Sequence, residues 1–198
     1  SIPHELISPE NYKTICHLAS FFNERITSFF GFETRLNSTS AHSDYLFAVS
    51  SLNGEKERLN KLLHSNRFQT YTKQSKEWNQ LRRFTHEWCK PDSIINKKIH
   101  GMWLEFDIED EKTDVLNPCV FIHTSPLKNN TCPDFAIREA IPALIGRPLP
   151  HHLQESLKKA IMKLPDEAYV MDIGFMLSRA EQGMRLLITR IKPEDIVP

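Results

Sequence analysis

The sequence predicts an α+β domain: an antiparallel sheet of about five strands, built from hairpins that alternate with helix pairs, with the helices packed on one face. Three observations lead there. Residues 100 to 110, HGMWLEFDIED, alternate strictly: Met102, Leu104, Phe106 and Ile108 on one side, Trp103, Glu105, Asp107 and Glu109 on the other. That period of two is a strand with one face fit for a core. Trp78, Leu81, Phe84 and Trp88 recur instead at steps of three and four, the period of a helix. Helical pairs then alternate with strand pairs along the chain, which favours an antiparallel sheet with its helices segregated to one side.

The elements follow in order. Ser8-Pro9-Glu10 starts a helix: a serine cap, then proline where its missing N–H costs nothing. Ile15, Leu18, Phe22, Ile26 and Phe29 extend it as one apolar stripe that Gly31 ends. Residues 33 to 43, with Asn37, Ser38, Thr39 and Ser40 in a row, read as a loop. Tyr45 to Ser51 is a short apolar strand bounded by Asp44 and Asn53-Gly54. A helix runs from Glu55 to about Ser65 with Leu59, Leu62 and Leu63 inward; the Trp78 to Trp88 helix stops at Pro91.

Two strands follow, about 98 to 109 and 118 to 124, joined by an acidic loop at Glu109-Asp110-Glu111. Pro133-Asp134 opens a helix carrying Phe135, Ile137 and Ile141, and Pro142 inside it predicts a kink or break. Pro148 and Pro150 form a rigid link to a helix over His151 to Leu164. Tyr169 to Arg179 and Met184 to Ile191 are strands joined by the short loop Ala180-Glu181-Gln182-Gly183. Lys192-Pro193-Glu194-Asp195 begins one more helix that is not completed, which suggests a single domain belonging to a longer chain.

Composition narrows the function classes. The 198 residues are 40% hydrophobic and 25% charged, with 25 basic and 25 acidic side chains. A balanced charge gives no bulk attraction for nucleic acid or a membrane surface. No run of about 18 apolar residues exists, so no spanning helix is expected. Cys16, Cys89, Cys119 and Cys132 are widely spaced, which suits reduced thiols in a cytoplasm better than disulfides or a zinc site. The phosphate-loop, dinucleotide-binding and G-x-S-x-G patterns are absent. No cofactor is expected.

Reading every strand in steps of two gathers polar groups on the side away from the core. Trp103, Glu105 and Asp107 come from one strand, His123 from the next, Asp172 from the strand at 169, and Arg185 from the last. On the strand from 169, Val170, Asp172, Gly174 and Met176 fall together by simple alternation. Opposite charges across strands need no purpose beyond pairing. Large apolar groups among them (Trp103, Phe121, Met176) are harder to place in water and are what a ligand pocket shows. Glu105, Asp107 and His123 also have the donor types of a divalent-metal site, but carboxylates two apart on a strand are common by chance, and no metal is expected. No nucleophile is marked by an adjacent base.

Other features read as structure. His151-His152 sit about 100° apart on a helix start and cannot readily share an ion. His86 and Cys89 have a metal-compatible spacing without further ligands. Residues 55 to 100 are rich in Lys and Arg interleaved with Phe68, Tyr71, Trp78, Phe84 and Trp88. That composition resembles a single-strand nucleic-acid surface, yet the aromatic spacing is that of a buried stripe with the charges on its wet side.

The alternation of helices and antiparallel hairpins is similar in outline to the α-β-β-α units of aromatic prenyltransferase barrels, where a sheet closes around substrate. The likeness is one of fold, carries no residue motif, and 198 residues hold too few strands for a complete barrel of that kind. The leading expectation is an interaction or accessory module with a protein partner. The alternative is a small-molecule-binding or biosynthetic domain with its site on the polar face of a curved sheet.

Overall fold

The computed structural model describes residues 7–22, 26–27, 29–34, 43–72, 75–108, 115–129, 131, 133–179 and 183–195. Within them six strands form one antiparallel sheet: β1 (Phe29–Thr34), β2 (Ser43–Ser50), β3 (Ile99–Ile108), β4 (Cys119–Leu127), β5 (Tyr169–Phe175) and β6 (Met184–Thr189). Each strand pairs with its sequence neighbour, so the order across the sheet is β1 to β6 and the sheet is open at both ends. The helices among the described residues are α1 (Pro9–Ala19), α2 (Glu55–Leu63), α3 (Asn66–Tyr71), α4 (Lys76–Cys89), α5 (Ile94–Lys98), α6 (Ile141–Ile145) and α7 (His151–Met162). None is long and apolar enough to cross a membrane.

The core lies between the helices and one sheet face. Trp78, Leu81, Phe84 and Trp88 of α4 are fully buried, against Phe47 of β2 and Leu104 and Phe106 of β3. The two indoles satisfy their N–H groups on backbone carbonyls, Trp78 on Leu116 at 2.9 Å and Trp88 on Ile99 at 3.0 Å. A buried indole needs such an acceptor. Capping follows the sequence: Ser8, Ser65, Ser75 and Ser93 each accept a backbone N–H of the helix they precede. The basic side chains of α4 lie on its wet side.

The first apolar stripe divides differently from the sequence reading. α1 ends at Ala19, where Ser20 donates its hydroxyl to the His17 carbonyl at 2.7 Å. Phe21, Phe22 and Ile26 are buried beyond the helix end. Phe29 begins β1, a sixth strand where about five were expected, and Glu33 and Thr34 belong to it rather than to a loop. Two periods overlap in this stretch. Phe30 and Phe32 alternate with Phe29, Gly31 and Glu33, and pairing with β2 selects the extended form.

Around Pro142 the expected irregularity takes a definite shape. Proline has no N–H to give the carbonyl four residues back. The backbone widens into a π turn over Ala136–Ala140, with the Ile141 N–H on the Ala136 carbonyl, before α6 resumes. Gly146 ends α6 with φ of 72°, a conformation a side chain would strain.

On β5 the alternation breaks at Met171. Ile188 faces Val170 and Leu187 faces Asp172, so Met171 is an extra residue against β6, while on the other side β4 spends three residues, 124 to 126, between His123 opposite Asp172 and Leu127 opposite Val170. Val170 therefore turns into the core, correcting its assignment to the open face, while Asp172 and Gly174 stay outside. Met176, beyond the end of β5, is buried as well. The loop residues Glu109-Asp110-Glu111, Ala180 to Gln182, Asn37 to Ser40 and Cys132 lie outside the described residues. Lys192 to Asp195 contains one 3₁₀ turn, Pro193–Asp195.

Candidate functional site

The sheet face away from the helices forms a half-open cavity of about 350 Å³. Its lining comes from all six strands: Glu33 of β1, Leu46 of β2, Trp103 and Glu105 of β3, Phe121 of β4, Asp172 of β5, and Arg185, Leu186 and Leu187 of β6. Strands lie about 4.8 Å apart, so in a flat sheet β1 and β6 stand roughly 24 Å from each other. A single cavity touching both means that the open face curls inward. Of the charges in HGMWLEFDIED, Glu105 thus faces a concavity.

Four of the six residues expected from the sequence line this cavity: Trp103, Glu105, Asp172 and Arg185. His123 touches it through Asp172, whose Oδ1 lies 3.0 Å from the His123 Nδ1. The hydrogen bond to Asp172 raises the imidazole's proton affinity above its ordinary value, against the opposing effect of burial. Asp172 itself is 1% exposed, and its second oxygen, Oδ2, is buried with no hydrogen-bond partner among the described residues. A buried acceptor left unmade costs about 1–3 kcal/mol, more when charged.

Asp107 has a different task. Both of its oxygens are taken by Arg179, at 2.8 and 3.0 Å, and Ser178 donates to Oδ2 at 2.9 Å. Burial alone would raise its carboxyl; the bonds from Arg179 and Ser178 outweigh burial and hold it below its ordinary value. The fork ties β3 to the segment after β5. Sequence gave no sign of Arg179 as a partner, since 72 residues separate the pair.

Glu105 is the electrostatic centre. Burial, then the negative charges of Glu33, Asp107 and Asp44, push its carboxyl up to about 7, with Arg185 acting in the opposite direction. Such a group exchanges protons near neutrality. Asp44, Glu105 and Asp107 bring carboxylate oxygens within 4.8 Å of one another. Arg179 already occupies Asp107, which leaves the trio short of three free donors. Burial pushes the thiol of Cys119, beside Asp107, up to about 11, which disfavours the thiolate.

The walls are apolar. Phe121 lies across Gly174, where a Cβ would stand only 2.4 Å from the ring. The glycine is what lets the phenyl group lie down on the sheet. Trp103 meets Phe29 edge to face at 5.2 Å between centroids. Glu33 and Leu46 were missed in the sequence; the alternation within FFGFET was the signal for the first. Arg190, the other arginine near β6, sits over the Tyr169 ring at 5.8 Å.

Comparison of the chain with protein-family models, with curated proteins and with solved structures returns no match.

Proposed function

We propose that this chain is a small-molecule-binding domain whose ligand sits in the concavity of the curled sheet. The observation that carries the reading is the joint lining of one cavity by all six strands, with Trp103, Phe121, Leu46 and Leu187 as walls and Glu105, Asp172 and Arg185 converging from three different strands. Its volume of about 350 Å³ falls in the range of small-ligand sites, which run from roughly 300 to 1,000 Å³. Polar groups that converge among apolar walls orient a ligand; a solvated sheet face has no use for the walls.

Native mass spectrometry beside the denatured mass of the same sample tests this. Mass present only in the native spectrum, and absent from a Trp103→Ala, Asp172→Asn double variant, is the expected result. Bare chain in both proteins, or an adduct that survives the double change, contradicts it.

The accessory-module reading has its own observation. Among the described residues β1 is an edge strand whose Phe29 and Phe30 are 52% and 61% exposed, and aromatic edge strands invite a further strand. A second copy of the chain paired along β1 would register in the same native spectrum as twice the chain mass.

A further inference from the structure

We infer that the cavity takes an organic cation: a protonated amine on an apolar body. The inference rests on the reading of this concavity as a ligand site and names its ligand class. Among the described residues three carboxyl groups line the cavity, Glu33, Glu105 and Asp172, against the guanidinium of Arg185. With Glu105 sharing its proton near neutrality and the His123 imidazole on Asp172, the balance is still negative above about pH 7. An anionic ligand would meet net repulsion there, and a purely apolar one would leave the buried charge uncompensated.

The second observation is the orphaned oxygen. Asp172 is buried, lines the cavity, and spends only Oδ1 on His123. An ammonium group supplies three donors and a positive charge, so with a side-chain shift that uncovers Oδ2 it completes Asp172 and still faces Glu105 or Glu33. The walls fit the rest of such a molecule. Trp103 and Phe121 present aromatic surface, and a cation near an aromatic face gains further attraction. Leu46 and Leu187 suit an apolar body. A bare divalent ion fits less well, because it wants six or more oxygens and Asp107, the third carboxylate near Glu105, is held by Arg179.

Three matched probes test the class: 2-phenylethylammonium, 3-phenylpropanoate and 3-phenylpropan-1-ol. The readout is the indole N–H resonance of Trp103. Trp78 and Trp88 are fully buried with their N–H groups on backbone carbonyls, so their resonances report nonspecific effects. The expected result is that the cation moves the Trp103 resonance and binds about tenfold or more tightly than either analogue, a factor set by one charge-assisted hydrogen bond. Asp172→Asn should remove most of that preference. Glu105→Gln, at a less buried position, should weaken the cation alone and keeps the test sound if Asp172→Asn fails to fold. If the acid or the alcohol binds at Trp103 as tightly as the amine, the ligand class is overturned while the cavity remains a binding site. If no probe moves Trp103 at millimolar concentration, the cavity reading falls and the class with it.

Discussion

Replacing Glu105 by glutamine should make the ligand-free protein more stable, and the gain should grow with pH. In the folded chain the carboxyl holds its proton up to about 7, against an ordinary value of 4.5, first because it is buried and then because Glu33, Asp107 and Asp44 are close. A folded-state value above the unfolded one means that the folded protein binds the proton more tightly. Stability is therefore full below about 4.5 and declines as pH rises through 7. Each tenfold difference in proton affinity is about 1.4 kcal/mol, so the interval gives a ceiling of about 3 kcal/mol. Glu105 lines a cavity that solvent reaches, and screening reduces the expected gain to about 1–2 kcal/mol. For a chain of this size that is roughly 2–8 °C in Tm. Urea unfolding of the two proteins between pH 4 and 9 reads it directly. The curves should meet near pH 4 and separate steadily to about pH 8, with the variant above. Parallel curves, or a variant less stable at pH 8, would refute the argument that Glu105 sits in a negative, desolvated concavity.

Gly174→Ala should cost about 1–3 kcal/mol, because its methyl group meets the Phe121 ring at 2.4 Å; combined with Phe121→Ala in a double-mutant cycle, much of that cost should vanish, and strict additivity would contradict the contact. Arg179→Ala leaves Asp107 without its fork and should destabilise by about 1–3 kcal/mol at neutral pH. Because Asp107 is held below its ordinary 3.8, its contribution is present above that pH and lost in acid. The gap between the proteins, read by chemical denaturation, should narrow as pH falls, and a gap independent of pH would argue against the pair. Asp172→Asn removes the partner that raises His123, so the imidazole titration followed by NMR should move to lower pH; an unmoved midpoint would show that the hydrogen bond does not govern it.

The residues that were readable from sequence are those whose partners lie one or two strands away in a regular ladder. Trp103, Glu105 and Arg185 needed only the period of two and the assumption that hairpins join into one sheet. The α4 stripe was readable because a helix packed on one side must be apolar on that side, and all four of its large residues are fully buried. Three things were hidden. β1 was masked by a phenylalanine-rich stretch that satisfies helical and extended periods alike, so that only pairing with β2 decides it. The Met171 bulge turns Val170 inward, and a bulge depends on the neighbouring strands rather than on the strand's own pattern. The Asp107–Arg179 fork joins positions far apart in the chain, and nothing local to either announces it. Curvature entered only through the alternative expectation of a curved sheet, since alternation tells which side a residue faces and says nothing of how strongly that side bends.

The most direct test of the central claim is a crystal of the protein soaked with 2-(4-bromophenyl)ethylammonium, with bromine located by its anomalous scattering. The expected result is one strong peak inside the curled sheet, the ring against Trp103 and Phe121 and the ammonium group on Asp172 Oδ2 or Glu105. Bromine found only outside the sheet, or a sheet whose six strands enclose no cavity, would contradict the account.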